Sequence, residues 1–169
     1  MSRLIAVTAA IAAFALPATA IAADTNEWQS AKTLENDDVV LIASGTEQEH
    51  GVFFNCADGN LTAGLTTVPG DILEMMAQET SRSKSHDIAM TIGDSEPFKA
   101  GWTYFPSLKV AIAHKELTAK KLYNAAIKGE TVTWKMPARP EISVTMPEAN
   151  EAFKAFANDC PVTNPNKQS

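Results

Sequence analysis

The sequence predicts a mainly β (α+β) fold: an antiparallel β-sandwich-like domain with two helices, the last of them disulfide-linked to a hairpin. Three observations carry that expectation. Short apolar runs alternating at period two recur along the chain between turn-forming residues, as half-buried strands do. Two stretches, 117–128 and 146–160, carry apolar residues at helical spacing instead. The only two cysteines, Cys56 and Cys160, stand at the end of a strand-like run and at the end of the second helical stretch.

The chain has 169 residues, with 14 Lys and Arg against 20 Asp and Glu. Residues 1–22 read as a secretory signal peptide: Arg3 supplies the basic start, a short apolar run follows, and Ala20-Ile21-Ala22 forms a cleavage site of the A-x-A kind. The apolar run is shorter than the roughly 20 residues a membrane span requires. Cleavage would leave residues 23–160 as one β-rich domain and 161–169 as a disordered tail. The mature formal charge would be about −7, because Arg3 is the one charged residue removed. That balance argues against nucleic acid or an anionic membrane as partner, since both require a concentrated basic face. The basic pairs at 82–84 and 120–121 read as solvated surface.

Taken in order, residues 23–36 are polar around a single Trp28, which suggests an extended arm able to dock through its indole. Val39-Val40-Leu41-Ile42-Ala43 is a continuous β-branched run, expected to be buried on both faces. After a polar loop over 44–51, the runs 52–56 and 61–66 flank Asp58-Gly59, a strong hairpin signal. A turn follows at 68–71. Residues 72–77 fit a short helix or a loop, and 78–85 read as a mobile surface loop. Residues 87–94 resume strand patterning with Ile88, Met90 and Ile92 on one face.

A loop is expected over 95–101, followed by strand-like residues 102–105 and then 108–114, where Leu108, Val110 and Ile112 share a face. For the helix at 117–128, Thr118 is the expected N-cap and Gly129 the residue just past the C-terminus. Residues 131–135 and 142–146 alternate as a strand pair across a proline turn, with apolar residues facing one way and threonines the other. Pro147 then suits the first turn of the last helix. Ala149, Ala152, Phe153, Phe156 and Ala157 make its apolar stripe.

Two cysteines in an exported chain most simply form one bond, Cys56 to Cys160, because the compartments outside the cytoplasm are oxidising. Two buried thiols or an intermolecular bond are the alternatives. No motif for catalysis is present. His50, His86 and His114 show no metal-ligand spacing, and no cofactor or metal is expected. Ser81-Arg82-Ser83-Lys84 matches S-x-x-K only formally, without the K-T-G strand that accompanies it in penicillin-binding enzymes. Asn60-Leu61-Thr62 matches a glycosylation sequon in a chain whose Ala-rich leader looks bacterial. The suggestive cluster is Asp94, Glu96, Phe98, Trp102 and Tyr104, where aromatic rings beside carboxylates could form a recognition surface. The competing reading makes these aromatics core with one wet end.

Leu122-Tyr123-Asn124-Ala125-Ala126-Ile127-Lys128-Gly129, the two strands after it and the segment from Phe153 to Cys160 together resemble small exported bacterial β-proteins of the invasion-associated locus B type. Those proteins place a short helix, a hairpin and a final apolar helix in the same order. The resemblance covers about 50 residues and implies a β-sandwich-like envelope protein with no catalytic residues to carry over. The expected function is therefore a periplasmic or secreted binding or accessory domain, with an unknown protein or small-molecule ligand in the envelope. The alternatives are an envelope enzyme built from scattered residues such as His50, His86, Asp94 and Tyr104, and an inhibitor of a secreted enzyme.

Overall fold

A computed structural model describes residues 27–32, 38–44, 50–67, 83–105, 110–135, 141–161 and 163. Period-two alternation becomes strand throughout: β1 (Gln29–Lys32), β2 (Val39–Ser44), β3 (His50–Ala57), β4 (Asn60–Thr67), β5 (Lys84–Ile92), β6 (Phe98–Phe105), β7 (Val110–Ala113), β8 (Thr131–Lys135) and β9 (Glu141–Thr145). The helices are α1 (Glu116–Lys128) and α2 (Glu151–Asp159). The nine strands among the described residues form one sheet in the order β1-β2-β3-β4-β7-β6-β5-β8-β9. Every pairing is antiparallel. The sandwich character comes from curl, since the sheet brings β9 back against β3.

The hairpin joining β3 and β4 turns through Asp58 and Gly59, both at positive φ of 49° and 75°. Two left-handed central residues are what a tight hairpin turn matched to the strand twist requires. Inner-face side chains alternate in register: Val52, Phe54 and Cys56 on β3, Leu61, Ala63 and Leu65 on β4, and Val132 and Trp134 on β8 are buried. The outward threonines of β8 meet hydroxyls of β9, Thr131 with Thr145 and Thr133 with Ser143, each at 2.9 Å. Such cross-strand pairs contribute a few tenths of a kcal/mol up to about 1.

α1 leaves β7 and crosses to β8, packing on β4, β7 and β8. It is seated over strands that carry small inward residues, Ala63 on β4 and Ala111 and Ala113 on β7. Small residues let the helix approach the sheet: Ala111 and Ala113 are buried, while Val110 and Ile112 share the other, half-buried face. Gly129 ends α1 in the left-handed region (φ 65°, ψ 28°), and its N–H returns to the last turn. That geometry favours glycine. The expected cap does not form; the N-cap position is Lys115, without a side-chain hydrogen bond, and Thr118 lies buried one turn inside.

α2 is shorter than expected. Asn150 caps it, accepting from the Phe153 N–H at 3.1 Å, and residues 146–150 are not helical. Pro147 instead offers its carbonyl to the Trp28 indole N–H at 3.0 Å, a buried bond, and the Asn150 amide donates to the Trp28 carbonyl at 2.8 Å. The arm does dock through its indole, and it continues as strand β1. Phe54 is central to the aromatic core, with Trp28 at 5.8 Å, Tyr123 edge-on at 5.5 Å and Phe156 at 6.5 Å. Tyr123 stacks on Phe153 at 5.0 Å. The Cys56–Cys160 disulfide closes this corner, with Cα atoms 5.7 Å apart across 104 residues of sequence.

Other expectations shift. β2 is buried on one face only: Val39, Leu41 and Ala43 are inside, while Ile42 is 39 % exposed. The loop after β5 spans 93–97, because Phe98 to Gly101 already belong to β6, and Lys84 and Ser85 belong to β5 rather than to a loop. Past Cys160 the chain turns, with the Thr163 hydroxyl donating to the carbonyls of Ala157 and Cys160 at 3.1 and 2.9 Å. The predicted signal peptide, the turn at 68–71, the segment 72–77, most of the loop 78–85, the proline turn at 136–140 and the rest of the tail lie outside the described residues. No helix among the described residues is long and apolar enough to cross a membrane.

Candidate functional site: a lysine-lined cleft between β5, β6 and α1

The outer face of β5 presents Ser85, Asp87 and Ala89, and their cross-strand partners on β6 are Thr103, Gly101 and Lys99. His114 lies just beyond β7, and its backbone N–H donates to the Gly101 carbonyl at 2.9 Å. Because Gly101 has no side chain, the imidazole can lie across it; a Cβ there would sit 2.6 Å from His114 Nδ1. From that position Nε2 hydrogen-bonds Thr103 Oγ1. Thr103 Oγ1 in turn bonds Ser85 Oγ at 2.9 Å. A hydroxyl–hydroxyl–imidazole chain therefore runs over three adjacent strands.

Beside it opens a cleft of about 360 Å³. Asp87, Gly101 and His114 form its strand side, and Lys115, Leu117, Thr118 and Lys121 its helix side. Phe98 and Lys99 complete the wall, with Lys121 Nζ 3.9 Å above the centre of the Phe98 ring. An ammonium over a ring face is held by the ring quadrupole. Three lysines and a histidine thus face one carboxylate, in a chain whose formal net charge is −6. Glu116, the one acidic residue of α1, is engaged by Lys120 at 3.2 Å. Among the described residues none of Lys99, Lys115 and Lys121 forms an ion pair. Thr118 is only 6 % exposed and borders the cleft.

Of the residues singled out from sequence, Phe98 lines the cleft. Asp94 and Glu96 are exposed in the turn before β6 and do not line it. Trp102 and Tyr104 are 1 % and 4 % exposed, because alternate β6 residues face inward. The structure thus separates the aromatic–carboxylate cluster into an exposed turn and a core. His50 is half-buried at the start of β3 and His86 is exposed on β5; neither lines the cleft. Lys84, the lysine of the S-x-x-K match, is on a strand. No group of three His, Cys, Asp or Glu that could hold a metal occurs among the described residues.

Lys99 and Lys115 were not singled out because they are dispersed in sequence, and Lys121, read as solvated surface, borders the cleft. The one readable signal was the i, i+4 pair Leu117 and Lys121, which places two cleft residues on one helical face. Compared with known protein families, characterised proteins and solved structures, the chain matches none.

Proposed function

We propose that this is an exported bacterial binding domain, periplasmic or secreted and without a catalytic centre, that holds a small ligand in the cleft between β5, β6 and α1. The observation that carries the reading is the convergence of charged and polar groups from two strands, a strand end and a helix on one cavity. Ligand sites are concave, with an apolar wall and a few polar groups that fix orientation. Phe98 and Leu117 supply the wall. The disulfide supports the exported half of the reading, since such bonds persist in oxidising compartments. The similarity in element order to exported proteins of the invasion-associated locus B type belongs to the same proposal.

Binding is favoured over catalysis by the hydrogen bonding of His114. A hydroxyl nucleophile needs an imidazole oriented through its second nitrogen by a third group. Here Nε2 engages Thr103, and no hydrogen bond joins Asp87 to His114, so Asp87 does not orient the imidazole. The residues named for a scattered active site, His50, His86, Asp94 and Tyr104, do not meet in the cleft.

Native mass spectrometry of the chain purified from the cell envelope tests the proposal. A bound small molecule is expected on the wild type and not on Leu117→Glu, which places a charge at a side chain 64 % exposed and leaves the core intact. Equal retention by both proteins would exclude the cleft as the binding site. A captured envelope protein, unaffected by Leu117→Glu, would favour an accessory or inhibitory role instead.

A further inference from the structure

The geometry points to the ligand class: we propose that the cleft takes a small carboxylate-type anion carrying hydrogen-bond donors at its other end, of hydroxy-acid or sugar-acid size. The inference rests on the cleft being the binding site and adds the charge and polarity of the occupant.

Four observations support it. Lys99, Lys115 and Lys121 border one cavity, and among the described residues no acidic side chain forms an ion pair with them. Lys115 occupies the N-cap of α1 without a side-chain cap, and the first N–H groups of a helix lack intrahelical acceptors. Beside them Thr118, a residue only 6 % exposed, borders the same cavity. A hydroxyl can both donate to and accept from a ligand oxygen.

Asp87 supplies the fourth observation and sets the opposite end of the ligand. An anion alone would be repelled by this carboxylate, whereas a molecule with a hydroxyl or amine at its far end would donate to it. The size argues in the same direction. A cleft of about 360 Å³ is at the small end of ligand sites. Because the whole chain is acidic, the positive potential is local, which suits a small anion and disfavours a polyanion such as nucleic acid.

The test is a ¹⁵N-resolved NMR titration of the disulfide-bonded chain with three probes: D-glucuronate, an acid with hydroxyls; glucose, its neutral counterpart; and acetate, an anion without further donors. Glucuronate is expected to shift the amides of Gly101, His114, Lys115 and Lys121 saturably. Lys115→Gln with Lys121→Gln should weaken it about fivefold, since each exposed ion pair contributes modestly, with an unchanged thermal melt. Added salt should weaken it too.

Glucose binding as well as glucuronate would overturn the charge assignment while leaving the cleft as a ligand site. Acetate binding as well as glucuronate would overturn the role given to Asp87. Silence of these amides toward all three probes would remove both this inference and the cleft itself.

Discussion

Trp102 carries its indole N–H into the core, where it donates to the Met90 sulfur at 3.3 Å, and its ring meets Trp134 edge-on at 6.1 Å. Truncating so large a buried side chain leaves a cavity that the surrounding sheet cannot fill. Trp102→Ala should therefore lower unfolding free energy by about 3–5 kcal/mol in urea denaturation. Asp94→Ala, in the exposed turn, should stay within about 0.5 kcal/mol. Equal effects would contradict the inward orientation of β6. Tyr123 makes a second case at this scale. Burial raises its phenol pKa above the ordinary value of 10.0, against a smaller opposing effect of the Thr163 hydrogen bond. The folded state thus holds the phenolic proton more tightly than the unfolded chain. The associated stability is fully present below pH about 10 and is lost as pH rises through the folded value. Denaturation midpoints measured from pH 8 to 11.5 should fall less steeply on the alkaline side in Tyr123→Phe than in the wild type; parallel curves would exclude Tyr123 as a contributor.

The last helix shows how one side chain can set an element's boundary. Pro147 is acceptable in a first helical turn, yet the helix starts at Glu151 because Asn150 both caps it and holds Trp28. Asn150→Ala removes the cap and the donor together, and should cost about 1–3 kcal/mol in chemical denaturation. Asn150→Asp keeps an acceptor for the Phe153 N–H and loses only the donor, so it should be the milder change; the reverse order would show that capping is not the main role. The same reasoning explains what was legible beforehand. Period-two alternation exposed most strands, and Asp58-Gly59 exposed the hairpin, because local sterics decide them. For β7 the alternation put Val110 and Ile112 on one face but could not say which face is core, because that depends on α1 packing over the small Ala111 and Ala113. Of the candidate site only Phe98 had been read as a binding residue, although His114, Thr118 and Lys121 were named in other roles. Lys99, Lys115, Lys121 and Asp87 come together through the β5–β6 register and the course of α1, which no spacing along the chain encodes.

At the scale of the whole molecule, both ends of the described chain converge on one corner of the curled sheet. The Trp28–Pro147 and Asn150–Trp28 hydrogen bonds join the entry to β1 with the exit from β9, and the exposed Lys32–Asp159 pair at 2.8 Å adds to this seam. An exposed pair of that kind contributes at most about 1 kcal/mol. The disulfide is the strongest member of the seam because it acts on the unfolded chain, closing a loop 104 residues long. Chain-entropy arguments give about 4–5 kcal/mol for a loop of that length, with measured values commonly about 2–4. Urea denaturation with and without a thiol reductant should show a loss in that range, alongside a mass gain of about two daltons on reduction. Hydrogen exchange separates two routes to that loss. If the bond acts through the unfolded state, reduction lowers protection in β3, β4 and β8 as much as in α2. If it only pins the helix, α2 and β1 lose protection while the centre of the sheet keeps it, and the global midpoint barely moves. The first pattern is expected, because α2 retains Phe153 and Phe156 buried in the aromatic core, contacts that do not depend on the bond.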